Sequence, residues 1–230
     1  MNKNFRIGLV LFFIIASFAA CKKKEYGNLQ FQFHHYAPNV SELSWIYAGK
    51  DTVARTAFLE GSDYVTASLE NVSFIAYSNS QAIASVSNPN FAANTRHSVF
   101  VCDTLGSIGK VILNDEHDAV PAGKALVRFI NLVPDTIAIV LSANGSDMFS
   151  SKKFRYAPKN YADGFSQFES IDAGTFNFTI KTEIDSMPFN FPILNSAIIE
   201  SGKIYNLVAT GFPNAMPNLD MKLVLEPFKE

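Results

Sequence analysis

The feature that most limits how this chain can fold is that part of it is written twice. Leu29-Gln30-Phe31-Gln32-Phe33-His34-His35-Tyr36-Ala37-Pro38-Asn39 aligns with Ala125-Leu126-Val127-Arg128-Phe129-Ile130-Asn131-Leu132-Val133-Pro134-Asp135. Phe33 falls on Phe129 and Pro38 on Pro134, both at a spacing of 96, and the same spacing carries Trp45 onto Leu141 and Gly49 onto Gly145. A register held without a gap from Phe33 to Gly49 implies the same strand, corner and second strand in both halves. The repeat continues with insertions. Glu70-Asn71 before Val72–Tyr77 corresponds to Ala173-Gly174 before Thr175–Ile180, and Asn and Gly both suit a tight turn with positive φ. His97–Val101 corresponds to Tyr205–Ala209, and the closing run Val111-Ile112-Leu113 to Leu223-Val224-Leu225.

Inside each copy the side chains alternate. Leu29, Phe31 and Phe33 are interleaved with Gln30, Gln32 and His34, and Phe176, Phe178 and Ile180 with Asn177 and Thr179. A period of two places one set on a buried face of a strand and the other outward. Short alternating runs separated by Gly, Pro, Asn and Asp predict an all-β chain built as two tandem β-sandwiches. The expected organisation is a signal peptide over 1–20, a tether over 21–27, a first sandwich over 28–113, a linker over 114–123 and a second sandwich over 124–230. The linker span is rich in Asp, Glu, Gly and Pro, as a solvated connection would be.

The N-terminus reads as an address. Lys3 and Arg6 precede the apolar run Ile7–Phe18, which is too short to span a bilayer. Phe18-Ala19-Ala20-Cys21 resembles a bacterial lipobox, with Phe where Leu is usual. That resemblance implies cleavage before Cys21 and lipid, including palmitate, on its sulfur. An ordinary secretory cut after Ala19 is the alternative, since Ser17 and Ala19 are both small. Cleavage at Cys21 removes two cations and no acid, taking the net charge from −2 to −4. Lys22, Lys23 and Lys24 would then lie near anionic head groups. No acidic cluster stands beside Cys21, which favours the outer membrane, with the periplasmic or cell-surface face left open.

Composition closes off other classes. The chain is 48% hydrophobic and 17% charged, so it can bury a core and does not read as disordered. Its net charge offers no general attraction to nucleic acid. Two cysteines exclude a disulfide framework and a thiolate-rich zinc site.

Residues 124–226 resemble the DUF4397 family through several motifs. The strand Ala125–Asp135 is close to "aRVRFiNaSPDa", and the next strand, Ile137 to Gly145, ends at a glycine. Ala173-Gly174 precedes a strand, and Tyr205 to Gly211 follows a Tyr-x-x-x-Ala-x-Gly pattern. The first half shares the pattern only through the repeat, with Gln32 in place of the Arg and His35 in place of the Asn. The resemblance implies an Ig-like or transthyretin-like sandwich in exported bacterial proteins, often lipoproteins, and no established activity. The lipobox and the Phe- and Asn-rich composition are similar to lipoproteins of the Bacteroidota.

Candidate sites are few. His34 and His35 are adjacent on a strand and point to opposite faces, so they cannot share one ion; a polar edge with one half-buried His accounts for them. Asp115-Glu116-His117-Asp118 could hold a hard cation, but the run lacks EF-hand spacing and a solvated linker explains it. Gly106–Lys110 echoes a phosphate loop without its full spacing and reads as a hairpin turn. Cys102 reads as a small buried hydrophobe. Trp45 and Tyr47 are core if they face inward. If they face outward with Tyr36 they form an aromatic platform; the apolar repeat partners Leu141 and Ala143 favour core. No catalytic residue, cofactor or metal ligand is expected, and Cys21 is the one assigned site, for lipid. The chain thus reads as a non-enzymatic, lipid-anchored envelope protein that binds or scaffolds, partnered by the membrane and by an unknown envelope protein or glycan. The alternatives are a glycan-binding accessory lipoprotein of a polysaccharide-uptake system and a hydrolase with a non-standard site.

Overall fold

Each run of alternating side chains described above forms a strand. The computed structural model describes residues 27–87, 90–104, 106–134, 138–160, 164–182, 193–212 and 222–228. The signal peptide and Cys21 lie outside the described residues. The first half contributes β1 (Asn28–Tyr36), β2 (Glu42–Tyr47), β3 (Asp51–Ala57), β4 (Glu60–Gly61), β5 (Val65–Ser68), β6 (Ser73–Ser78), β7 (Gln81–Ser87), β8 (Arg96–Cys102) and β9 (Gly109–Asn114). The second contributes β10 (Lys124–Asn131), β11 (Ile139–Ala143), β12 (Ser146–Asp147), β13 (Glu169–Asp172), β14 (Gly174–Thr182), β15 (Ile193–Ile199), β16 (Ile204–Thr210) and β17 (Lys222–Pro227). The chain is all-β.

Four sheets result. In the first half, β4-β1-β8-β9, with β5 also on β1, faces β3-β2-β6-β7. In the second, β13-β10-β16-β17 faces β12-β11-β14-β15. Each half has one parallel pair at the same place, β1 with β8 and β10 with β16. Phe33 sits opposite Val99 and Phe129 opposite Leu207. The first core packs Leu29, Phe31 and Phe33 of β1 against Leu43 and Trp45 of β2 and Phe74 of β6. The second packs Val127 and Phe129 against Leu141, Phe178 and Ile180. Burying each such side chain contributes about 1.5–3 kcal/mol.

Two alignments shift by one residue. Tyr47 lies opposite Phe74 and Ala143 opposite Phe178, so Phe178 is the counterpart of Phe74. Ser98 lies opposite Leu113 and Asn206 opposite Glu226, so a carboxylate stands where the first half has leucine. The turn reading at Asn71 and Gly174 is also corrected. Asn71 closes a 3-10 turn, Leu69–Asn71, and Gly174 opens β14 at φ 158, close to extended backbone.

Of the polar alternates of β1, Gln30 is exposed, but those further along do not meet solvent. Gln32, His34 and Tyr36 are fully buried, as are Ser98 and Phe100 of β8 and Arg128 and Ile130 of β10. Contacts join these two outward faces directly. The sheet β4-β1-β8-β9 therefore packs its second face on that of β13-β10-β16-β17, and the two sandwiches stack as four layers.

Candidate functional site

The groups best equipped for chemistry collect in the seam between those two inner sheets. Glu226 of β17 reaches across to β1. Its Oε2 lies 2.9 Å from His34 Nδ1 and accepts the Tyr36 hydroxyl at 3.0 Å. His34 Nε2 lies 3.3 Å from Ser98 Oγ, and the Ser98 hydroxyl donates to Asp115 Oδ2 at 2.8 Å. The Tyr64 hydroxyl donates to the same Asp115 oxygen at 2.9 Å. A chain of contacts thus runs from Tyr36 and Glu226 through His34 and Ser98 to Asp115 and Tyr64. Burial first, and then the neighbouring carboxylate, raises both phenols above their ordinary range, Tyr36 through Glu226 and Tyr64 through Asp115. Both therefore stay protonated donors.

Asp115 also carries the ion pair of the seam. Arg128 Nη1 lies 2.8 Å from Asp115 Oδ1, with both side chains fully buried. Nη1 makes its aligned hydrogen bond to the Asn114 carbonyl at 3.1 Å, so the contact with Oδ1 is mainly electrostatic. Arg128 Nε donates to Asn206 Oδ1 at 2.8 Å. The guanidinium lies 5.0 Å from the Phe168 ring centre, 5.1 Å from Phe228 and 5.9 Å from Phe100. Cation–π contact with three rings partly replaces its hydration. Among the described residues, Arg128 Nη2 and Asn206 Nδ2 are buried without a hydrogen-bond partner.

Glu226, His34 and Ser98 stand in the order carboxylate, imidazole, hydroxyl that acyl-transfer enzymes use. Their environment differs from that of a working triad. Ser98 is fully buried, and its hydrogen is directed to Asp115, away from His34. No substrate carbonyl could approach its oxygen while the seam is closed.

The candidates read from sequence fall as follows. His34 and His35 point to opposite faces, but β1 is flanked on both sides and both rings are fully buried, so the polar-edge reading is corrected. His35 Nδ1 accepts Ala37 N–H at 3.2 Å, and its Nε2 lies 2.8 Å from the Val40 carbonyl. Asp115 is fully buried, which corrects the solvated-linker reading for that residue. Glu116 Oε1 accepts Arg96 N–H at 3.1 Å, and His117 Nδ1 donates to the Asp118 carbonyl at 2.8 Å. Among the described residues, no group of three or more His, Cys, Asp or Glu side chains is placed to hold a metal ion. Glu116, His117, Asp118, Leu126, Ser166 and Phe168 line a cleft of about 360 Å³ at the mouth of the seam. The Phe168 ring in it is already covered by Arg128, His117 and Phe228.

Trp45 is fully buried and stacks on Phe33 at 4.1 Å; Tyr36 is buried in the seam. Tyr47 is half-buried, with its hydroxyl accepting Ser68 N–H at 3.1 Å. Trp45 and Tyr36 are therefore not parts of an exposed platform. Cys102 is buried, and burial pushes its thiol up to about 12. The sequence reading singled out none of Tyr36, Ser98, Arg128 or Glu226 for a seam. One signal was present, a carboxylate, Glu226, directly after the apolar closing run Leu223-Val224-Leu225; that its counterpart in the first half is a leucine is visible only in the register of the strands.

The fold defines a class, a duplicated all-β sandwich protein with a buried polar seam. Comparison with known families gives a narrower description. The model of a domain of unknown function, DUF4397, matches residues 29–142, which run from β1 into β11. The match centres on the first sandwich, whereas the motif resemblance was read over 124–226. No curated protein matches the chain. Among solved structures it is similar to CBMbc, a family CBM26 module of Eubacterium rectale Amy13K, in a crystal structure with maltoheptaose. The identity is 10%, the alignment covers 88% of this chain and 97% of that one, and the TM-score is 0.26.

Proposed function

We propose that this protein is a non-enzymatic, lipid-anchored envelope protein of the Bacteroidota type, a rigid module that binds or scaffolds. One observation carries the reading. The ion pair and the histidine–carboxylate pair are consumed in joining one sandwich to the other, and the serine hydroxyl bridges His34 and Asp115 behind them. The reactive groups serve assembly, and the outer surface is left for contact with a partner. The lipobox supports attachment through Cys21, and the absence of acidic residues next to it supports the outer membrane. Labelled palmitate is expected to enter the wild-type chain and not Cys21→Ala, and the variant is expected to be released in soluble form. Failure of the label to enter at Cys21 would remove the anchoring claim. Pull-down with the full-length Cys21→Ala chain against envelope proteins and glycans tests the binding role.

A second reading, a glycan-binding accessory lipoprotein, is favoured by the cleft that carries Glu116, Asp118 and Ser166 at the seam mouth. Retention of a glycan by the chain, and its loss in Glu116→Ala with Asp118→Ala, would select it over a protein partner.

A further inference from the structure

The face of β1 that enters the seam is buried from Gln32 onward, and its first turn of the pleat is left open. Asn28 and Gln30 share that face at a period of two, and both are exposed. Thr66 of β5 lies opposite Gln30 and is exposed as well. Together with Asn94 and Thr95, just before β8, they line a hollow of about 270 Å³.

The backbone holds this frame in place. Asn94 N–H donates to the Asn28 carbonyl at 2.7 Å, and Gln30 N–H to the Thr95 carbonyl at 3.1 Å. Gly27 lets that turn lie against the start of β1, since a methyl group there would collide with Ala93. The Thr95 hydroxyl is already committed: it donates to the Ala92 carbonyl at 2.8 Å and lies 2.8 Å from His97 Nε2. The side chains of Asn28, Gln30, Thr66 and Asn94 make no hydrogen bond among the described residues.

The second sandwich builds the same frame with different side chains. Gly202 N–H donates to the Lys124 carbonyl at 2.7 Å and Leu126 N–H to the Lys203 carbonyl at 3.0 Å, while Leu126 lies opposite Ser170. Asn94 therefore stands where the other half has Gly202, and Gln30 where it has Leu126. Both turn residues are left-handed, with φ 62° at Asn94 and 80° at Gly202. Glycine takes that conformation at no steric cost, and asparagine does not. The frame closes without amides in one half, so the fold does not require them in the other. What they add is hydrogen-bonding capacity: three amide side chains and one free hydroxyl, none of them charged.

We propose that this hollow binds one ring of a neutral glycan. An amide offers an acceptor and donors side by side, which matches two adjacent sugar hydroxyls, each both donor and acceptor. The lining supplies no cation to balance a carboxylate or phosphate and no carboxylate to balance an amine, so a neutral ligand suits it. Its volume lies just under the range of about 300–1,000 Å³ typical of drug-sized ligands, which is room for a single ring of a longer chain. Asn28, Gln30 and Thr66 project from paired strands, so they are positioned before the ligand arrives. The proposal extends the glycan-binding reading to a second place on the molecule, with no lining residue in common with the cleft of Glu116 and Asp118.

The test applies the full-length Cys21→Ala chain to an array of neutral oligosaccharides of glucose, galactose, mannose and N-acetylglucosamine, with sialylated and sulfated ones beside them. The affinity for the neutral oligosaccharide held best is then measured by calorimetry. Gln30→Leu with Asn94→Gly gives both positions the residues of the second sandwich, so the denaturant midpoint is expected to hold. That variant is expected to bind at least about tenfold more weakly, because two amides lose their hydrogen bonds to the sugar. Thr66→Val removes one hydroxyl, keeps the side-chain shape and is expected to weaken binding severalfold. Glu116→Ala with Asp118→Ala is expected to bind like the parent. Retention of no neutral oligosaccharide, stronger retention of the anionic ones, or an affinity in the Gln30 and Asn94 variant equal to the parent's overturns the site. Loss confined to the Glu116 and Asp118 variant also overturns it, and leaves the glycan reading at the seam mouth standing.

Discussion

His35 and Asn131 stand at equivalent places in the two sandwiches and make the same bond. Each side chain accepts the backbone N–H two residues ahead: Ala37 N–H to His35 Nδ1 at 3.2 Å, and Val133 N–H to Asn131 Oδ1 at 3.0 Å. Both lie at the end of the first strand of their half, where the chain turns toward Pro38 or Pro134. An Asx-type turn is thus made by asparagine in one copy and imitated by an imidazole in the other.

That substitution carries a pH cost. Because Nδ1 accepts, the network assigns the ring hydrogen to Nε2, which donates to the Val40 carbonyl. Burial lowers the His35 pKa below 6.5, and burial lowers His97 as well. The unfolded chain therefore binds these protons more readily than the folded one. The stability is fully present above about pH 6.5 and is lost as pH falls from there toward the lowered folded values. His35→Asn keeps the acceptor and removes the titrating group. Its loss of denaturant midpoint between about pH 7.5 and about pH 5 is expected to be smaller than that of the parent. An equal loss in both would show that His35 does not contribute.

Trp45 gives a direct test of the first core. It is fully buried against Phe33, and among the described residues its indole N–H has no hydrogen-bond partner. Trp45→Ala is expected to cost about 3–5 kcal/mol. Trp45→Phe is expected to cost distinctly less, because it also removes an unsatisfied donor. As the chain's only tryptophan, it should emit at short wavelength in the folded state and shift red in denaturant. Glycans should leave that emission unchanged. A glycan-induced shift would revive the platform reading.

How much of this was legible beforehand follows from what a period of two can say. It separates two faces of a strand but does not identify what covers the second. Leu29, Phe31 and Phe33 announced a core correctly. Gln32 and His34 read as solvent-facing because they are polar, yet a second sandwich lies over them. The repeat was readable while its spacing held. Phe33 and Phe129 are 96 apart, but their neighbours Val99 and Leu207 are 108 apart, because the second half carries longer connections. The contact between His34 and Glu226 was out of reach, since they are separated by 192 positions and no local pattern joins them.

A third expectation concerns backbone strain. Phe149, Ser150 and Ser151 all take positive φ, at 51°, 54° and 59°. Three consecutive left-handed residues without glycine are unfavourable, at about 1–2 kcal/mol each relative to the right-handed form. Ser151 is tied down by its hydroxyl on Asp147 at 3.2 Å, and Phe149 packs on Phe154. Ser150 is exposed. Ser150→Gly is therefore expected to stabilise the chain by about 0.5–1 kcal/mol, and Ser151→Gly by less, because it loses the Asp147 contact. Thermal or denaturant midpoints of the two variants decide it. No gain in Ser150→Gly would mean that the left-handed turn is not strained.

The ion pair between Asp115 and Arg128 allows the sharpest dissection of the seam. Both side chains have left water, and their attraction must offset the desolvation of each. Removing one partner strands the other charge. Asp115→Leu leaves a guanidinium among Phe100, Phe168 and Phe228, and Arg128→Met leaves a carboxylate whose side-chain donors among the described residues are the Ser98 and Tyr64 hydroxyls. Each single change is expected to cost about 3–5 kcal/mol. Replacing both partners by apolar side chains, as in Asp115→Leu with Arg128→Met, removes the desolvation on both sides. The double variant is then expected to be more stable than either single one, with a coupling energy of about 1–3 kcal/mol in the double-mutant cycle. If the pair instead does little beyond filling space, the two costs will simply add. The seam would then be held by its apolar members, Phe100, Val111 and Ile130, and the charges would serve register alone.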